Sequence, residues 1–307
     1  MPARKVIDRI TGNVMAVAAI GSASLLIVVA GALSVRSAPF LLTVPVTDIF
    51  LGSTWMPDEG HFGLLVPIVG TLLVTAIAMA VAVPLSILSA IYLAEYATER
   101  VRAKVLPLID LLAGIPPVIF GVVGVLVVVP AVASLAATLG PLGIPFFGTT
   151  DYNTGFSVLA GGIVLATMVF PIIISISEQV LRAVPAEIRE ASLGLGATRW
   201  QTIKHVGLRM AFPGMGAAII LGFARAFGET MAVLMVVGNV ATIPSSVFDP
   251  AYPLPALIAN NYGEMMSIPL YDSALLFAAL LLMLVVLAFT VLARLILVRI
   301  ERGMAHG

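Results

Sequence analysis

Long apolar stretches separated by short polar segments make up most of the chain. Each is about as long as, or longer than, the roughly 20 residues that an α-helix needs to cross a bilayer. The pattern predicts six transmembrane helices, at residues 14–35, 64–93, 105–133, 156–177, 210–240 and 274–293. We therefore expect an all-α polytopic membrane protein. Residues 1–63 should form an N-terminal transmembrane helix followed by an extracytoplasmic segment. Residues 64–298 should form the transmembrane core.

The composition agrees with this fold class. Hydrophobic residues make up 60% of the chain, charged residues make up 10%, and the mean hydropathy is +1.12, far above that of soluble domains. The absence of cysteine excludes disulfides and thiolate metal sites, and the three histidines are scattered between different loops. We expect neither a metal site nor a cofactor.

The basic residues lie almost entirely on one side of the predicted helices. Of the 16 lysines and arginines, all but Arg36 and Arg225 fall in the N-terminal segment, the tail, or the loops at residues 94–104 and 178–209. Loops rich in Lys and Arg stay on the cytoplasmic side of a membrane. Both termini are therefore predicted to be cytoplasmic.

Two charged residues interrupt the fifth apolar stretch, Arg225 and Glu229. On membrane-insertion scales, placing a charged side chain at that depth costs about 2.5 to 3.5 kcal/mol. We therefore expect Arg225 to be buried and to have a functional role. One interpretation is an internal ion pair that neutralises the arginine. The other is a cationic anion site tuned by the carboxylate, since the order Arg then Glu is the weaker one for an intrahelical pair. Small residues recur every four positions beside this pair, and they predict a close helix contact: Gly214, Ala218, Gly222 and Ala226.

The third apolar stretch contains two adjacent prolines, Pro116 and Pro117, about 11 residues from its cytoplasmic end. Two prolines remove two backbone donors, so the helix should break or kink near the bilayer midplane. A half-helix starting there would present the amides of Val118 and Ile119 to an anion. The alternative is a kink that serves packing alone.

The longest cytoplasmic loop, residues 184–206, predicts an elbow of two short helices. Pro185 suits the start of the first helix, Gly194 and Gly196 its end, and Thr198 with Gln201 a capping box for the second. Four apolar side chains are able to bury one side of the elbow: Ile188, Leu195, Trp200 and Ile203. We interpret the elbow as a docking surface for a soluble partner.

The elbow also carries a resemblance. Glu190, Ala191 and Ser192, followed by Gly196, are similar to the EAA loop of permeases from ATP-binding cassette (ABC) importers, although the proline that ends the family pattern is replaced here by Arg209. Three further segments resemble phosphate-importer permeases, the last of them the PstC-type subunit in particular: residues 55–71, 111–121 and 225–239. Pro117 stands where that family often has serine.

This resemblance implies a type I ABC importer permease in a bacterial or archaeal cytoplasmic (inner) membrane. The partners it implies are a PstA-type permease, two PstB-type ATPase subunits and a PstS-type phosphate-binding protein. The implied substrate pathway includes Arg225, Glu229, Pro116, Pro117 and Val118. The residues implied to couple the chain to the ATPase are Glu190, Ala191, Ser192, Gly196, Thr198 and Trp200.

The sequence itself lacks an ATPase site. Its three lysines follow Arg4, Ala103 and Ile203, so the Gly-Lys-Ser/Thr of a phosphate-binding loop does not occur. The expected protein is a transporter subunit and not an enzyme. Two alternatives remain: an ABC permease for another oxyanion, such as sulfate or molybdate, and a proton-coupled secondary anion carrier, which would give no reason for the elbow.

Overall fold

The computed structural model describes residues 2–142, 144–148, 154–263 and 268–305. It is built from helices, with one small antiparallel hairpin pairing β1 (Trp55–Met56) with β2 (His61–Phe62). The α-helices are α1 (Pro2–Thr43), α2 (Val46–Leu51), α3 (Leu65–Ile91), α4 (Glu99–Gly114), α5 (Pro117–Val123), α6 (Val129–Leu139), α7 (Val158–Arg182), α8 (Ala186–Gly194), α9 (Arg199–Thr202), α10 (Leu208–Phe227), α11 (Met231–Val236), α12 (Leu254–Asn261) and α13 (Tyr271–Ala305).

Short π-helical turns extend or join several of these helices. They follow α3, connect α5 to α6, and connect α9 to α10: Tyr92–Tyr96, Gly124–Val128 and Ile203–Gly207. Two 3-10 turns, Pro57–Glu59 and Gly140–Leu142, complete the helical elements. Single π turns are frequent at functional sites in helices.

Six helical segments in the described part of the chain are long and apolar enough to cross a membrane, which confirms the predicted number. They are Ile10–Thr43, Leu65–Tyr96, Pro117–Leu142, Val158–Arg182, Arg199–Phe227 and Tyr271–Arg299. Four of them overlap the predicted helices closely. The third and the fifth do not.

The third predicted span is divided into two helices. The break at Pro116 is confirmed, with extended backbone at Ile115 (φ −68°, ψ 130°), the conformation that a following proline favours. It lies at the start of the apolar span, however, and not in its middle. The preceding helix, α4, is too polar to belong to the span: Thr98 caps it, and Asp110 accepts a hydrogen bond from Ser175 of α7 at 3.0 Å.

The fifth predicted span is wrong at its C-terminal end. α10 stops at Phe227, Gly228 leaves the helical conformation (φ −94°, ψ 1°), and the short α11 resumes at Met231. Beyond α11 the chain turns back through Gly238 and Asn239, both in the left-handed region at φ 94° and 54°. Arg225 and Glu229 are therefore not one turn apart in a continuous helix. They flank its interruption.

α7 lies at the centre of the bundle, and small residues bring α3 and α10 close to it. A Cβ on Gly222 would lie 2.8 Å from Ile173 of α7, and one on Gly214 would lie 2.4 Å from Val180. On the other side, Gly162 of α7 leaves no room for a Cβ against Ile77 of α3. The small-residue seam of α10 is thus the contact with α7.

Candidate functional site

The two helix breaks lie at the same level because α5 and α11 pack side by side in the same direction. Gly121 of α5 approaches Ala232, and Gly124, three residues further along the chain, approaches Val236. Pro117 precedes the first contact by four residues and Glu229 by three. At 1.5 Å per helical residue, each break lies about 5 to 6 Å before that contact.

Measured along α7, the breaks lie between the two ends of a helix that is long and apolar enough to cross a membrane. Glu229 lines a cavity large enough for about one water, together with Leu165 of α7 and with Thr71 and Thr75 of α3. Leu165 is the eighth residue of α7, which begins at Val158 and continues to Arg182. The level of the breaks is therefore about 10 Å from one end of α7 and about 25 Å from the other.

Arg225, in the last turn of α10, faces an open groove. The expectation that it is buried was wrong for this chain taken alone, because its side chain is exposed. The groove has a volume of about 550 Å³ and is lined by Ile172, Leu221, Ala224, Arg225, Gly228 and Glu229. Helix α10 ends at this groove, so the guanidinium lies beside backbone that is not helical.

Within the described ranges, Arg225 makes no hydrogen bond and no ion pair. Glu229 is half-buried, and its Oε1 accepts the amide of Ala232 at 3.5 Å, which places it over the first turn of α11. The internal Arg225–Glu229 ion pair considered above is thus not formed. Five N–H donors of a permanently charged group are left facing the groove.

The residues at the third-span break occupy the predicted positions with one difference. Pro116 is extended, and Pro117 begins α5. The amide of Ile119 donates to the carbonyl of Pro116 at 3.0 Å, so it is not open to an anion as expected. The side chain of Val118 is about half exposed.

The elbow of residues 184–206 has the predicted form. α8 ends at Gly194, and α9 starts with a complete capping box in which the Thr198 side chain accepts the Gln201 amide and the Gln201 side chain accepts the Thr198 amide. Between the helices, Gly196 adopts φ 88°. The hydroxyls of Ser192 and Thr202 lie 2.9 Å apart and tie α8 to α9.

The apolar residues of the elbow separate into a buried and an exposed set. Ile203 is only 2% exposed, so it is buried beneath the elbow and does not belong to the docking surface. Leu195 is 90% exposed and Trp200 51% exposed, with Ile188 and Leu193 exposed beside them. A contiguous exposed apolar group at a helix corner is typical of a protein contact. Glu190, Ala191 and Thr198 are also exposed around it.

Sequence reasoning missed the ion pairs beneath the elbow. Glu95, at the end of the π turn that follows α3, lies 3.0 Å from Arg189 of α8. Glu178 of α7, almost fully buried, lies 3.9 Å from Arg102 of α4. The positive-inside pattern uses only the number of basic residues in a loop. It contains no signal that Arg102 and Arg189 have acidic partners distant in sequence.

Comparisons with known proteins agree with this architecture. The family described as "Binding-protein-dependent transport system inner membrane component" matches residues 82–306. A crystal structure of a bacterial ABC transporter involved in the import of the acidic polysaccharide alginate covers 97% of this chain and 99% of its own, with a TM-score of 0.61 and 14% identity. At that identity it supports the fold alone.

Three curated relatives are similar in sequence. The probable ABC transporter permease protein YqgH of Bacillus subtilis is 41% identical over 211 residues, which is 68% of this chain and 64%, just under two thirds, of YqgH. The phosphate transport system permease protein PstC of Xylella fastidiosa is 36% identical over 262 residues, 83% of this chain and 80% of that protein. The probable PstC of Methanocaldococcus jannaschii is 33% identical over 240 residues, 75% and 76% of the two chains.

Proposed function

The chain belongs to the family of binding-protein-dependent transport system inner membrane components, and from this membership we propose that it is the PstC-type permease subunit of an ATP-driven importer of inorganic phosphate. The observation that carries the proposal is the 36% identity to a PstC protein across 83% of the chain. The substrate is a tetrahedral oxyanion. A permanently cationic guanidinium that has no partner among the described residues, at a break in a membrane helix, suits such a ligand.

In this proposal the groove at the break of the fifth span forms part of the phosphate path. Arg225 offers a bidentate donor pair to two phosphate oxygens. Glu229, at the edge of the same groove, keeps the phosphate from binding too tightly to be released, because its carboxylate repels the anion. Pro116, Pro117 and Val118 hold the neighbouring break open at the same level and shape the wall of the path.

The elbow is the proposed contact with an ATPase subunit. Glu190, Ala191, Ser192 and Gly196 would form its first helix and turn, and Thr198 and Trp200 its second helix. The exposed apolar side chains at its corner would enter a cleft on the ATPase. Because this chain has no phosphate-binding loop, ATP hydrolysis belongs to that partner, and the chain contributes only the path and the coupling surface.

The remaining partners and the orientation are part of the same proposal. A PstA-type permease would complete the path on the exposed side of Arg225, and two PstB-type ATPases would bind the elbows of the two permeases. A PstS-type protein would deliver phosphate from outside the cytoplasmic membrane. Both chain termini and the elbow lie on the cytoplasmic side.

The test is uptake of radiolabelled phosphate into proteoliposomes that contain the complex purified through this chain. We expect uptake that requires ATP inside the liposomes and is not inhibited by a 100-fold excess of sulfate or molybdate. Uptake should also persist when the proton gradient is collapsed. Competition by sulfate or molybdate would identify another oxyanion as the substrate. Uptake without ATP that is lost with the proton gradient would show a secondary carrier and refute the proposal.

A further inference from the structure

An acidic residue at the end of the second span, Glu95, contacts the elbow. This residue lies in the π turn Tyr92–Tyr96 that extends α3, and its side chain is only 9% exposed. Arg189 of α8 approaches both carboxylate oxygens, with its Nη2 3.0 Å from Oε1 and its Nη1 donating to Oε2 at 3.2 Å. The contact with Oε2 is a charge-assisted hydrogen bond, whereas the contact with Oε1 is an ion pair without a hydrogen bond, so charge and one directional bond hold the two side chains together.

The second elbow helix binds the same turn of α3. Arg199, the first residue of α9, donates a hydrogen bond to the backbone carbonyl of Glu95. Its guanidinium lies 4.8 Å from the centre of the Tyr96 ring, within the range of a cation–π contact. Both helices of the elbow therefore contact Glu95, and the second helix also contacts Tyr96.

Apolar packing beneath the ion pair makes this junction firm. A buried cluster joins the end of α3, the end of α7, the elbow and the start of α10, and it consists of Ala90, Ile91, Leu181, Val184, Ile203, Ala211 and Met215. Arg189 also donates to the carbonyl of Leu181 of α7. The elbow cannot shift relative to α3 without breaking the Glu95 contacts or opening this cluster.

The other end of α3 reaches the site. Thr71, in its second turn, lines the small cavity beside Glu229, and its hydroxyl accepts the amide of Leu254 at 2.8 Å. From Thr71 to Glu95 the second span is one nearly continuous helix of 25 residues, which places the two about 36 Å apart. A rigid helix held at both ends transmits a displacement from one end to the other.

We propose that the Glu95–Arg189 ion pair transmits the movement of the elbow to α3, and through α3 to the wall of the path beside Glu229. Glu95 is thus a positioning residue for transport. The inference rests on the proposed function, in which an ATPase moves the elbow. Without the ion pair, the Arg199 contacts and the apolar cluster still join the elbow to α3, but α3 follows the elbow less closely on ATP binding.

The first experiment compares transport with ATP consumption in proteoliposomes. We expect Glu95→Gln to lower the amount of phosphate imported per ATP hydrolysed about tenfold, because a charge-assisted contact is lost. The yield of ATPase that co-purifies with the permease (ATPase capture) should stay at the wild-type value. Arg189→Gln should do the same, and the double variant should be no worse than either single variant. Glu99→Gln, which removes an exposed acid paired with Arg102, is the matched control and should transport normally.

Three results would overturn the proposal. One is normal transport by Glu95→Gln. Another is loss of ATPase capture together with transport, since the pair would then maintain the shape of the elbow and not pass on its movement. The third is a loss in the double variant equal to the product of the two single losses, which would show that the two residues act independently.

The second experiment needs no phosphate and so separates this inference from the proposed function. Spin labels at Leu88→Cys in α3 and Glu187→Cys in α8 report their separation in this cysteine-free chain, within the intact complex. We expect the same distance with and without bound ATP in the wild-type background, and a shift on ATP binding when Glu95→Gln is added. An unchanged distance in that variant would contradict the coupling role. A wild-type complex that imports no phosphate would refute only the proposed function.

Discussion

Replacement of Gly196 tests whether the turn of the elbow is needed in its observed shape. Gly196 has φ 88°, and nothing lies within 4 Å of the position that a Cβ would occupy. Gly196→Ala therefore changes backbone preference without adding a clash. An L-residue in the left-handed region costs about 1 to 2 kcal/mol, which is a factor of about 5 to 30 in the population of the native turn.

Two further variants isolate the backbone effect. Gly194→Ala lies two residues earlier, at the end of α8, where a Cβ also meets open space but φ is not positive. It should be neutral or slightly stabilising, because alanine favours the helix by about 1 kcal/mol over glycine. Gly196→Asn should lie between the wild type and Gly196→Ala, since asparagine enters the left-handed region more readily.

The assay is the affinity of the detergent-solubilised permease for its purified ATPase. We expect Gly196→Ala to raise the dissociation constant about 5- to 30-fold and Gly196→Asn to raise it less. Gly194→Ala should leave the dissociation constant unchanged. Equal affinities for all three variants would show that the observed turn is not the docking conformation. An equal loss in Gly196→Ala and Gly196→Asn would indicate that side-chain bulk matters and not the backbone.

The remaining predictions concern orientation and packing. Asp58 and Arg100 are both exposed. A cysteine at position 58 should react with a membrane-impermeant maleimide added to intact cells, and one at position 100 should not. The reverse labelling pattern would show that the proposed orientation is wrong. Gly222→Val should destabilise the protein by about 1 to 3 kcal/mol, because its Cβ would meet Ile173 at 2.8 Å. Gly21→Val, also in a helix but with nothing within 4 Å, should survive heating in detergent like the wild type, and equal losses would refute the packing argument.

The sequence was most informative where one local rule determined the structure. Apolar length predicted the six spans, two adjacent prolines predicted the break before α5, and Thr198 with Gln201 predicted the cap of α9. Each of these depends on residues close together in the chain. The resemblance of the elbow to the EAA loop then indicated a partner that the fold alone would not have indicated.

The sequence was misleading where packing between distant segments decides. Residues 228–240 are mostly apolar, so hydropathy alone continued the fifth helix through them, whereas α10 ends at Phe227 and α11 then packs against α5. Arg225 was expected to be buried because its neighbours in sequence are apolar. Instead it faces a groove at the point where the helix stops. Glu95 gave no local signal, since its partner Arg189 lies 94 residues away.

Phosphate uptake by Arg225 variants tests most directly the claim that Arg225 lines the phosphate path. Arg225→Gln should leave assembly intact, since the arginine is exposed and unpaired among the described residues, and should lower uptake about 10- to 100-fold through the lost charged contact. We expect the double variant, Arg225→Gln with Glu229→Gln, to be expressed at the wild-type level and still to lack phosphate uptake. Recovery of uptake in that double variant would contradict the account, because it would show that the two charges serve only each other.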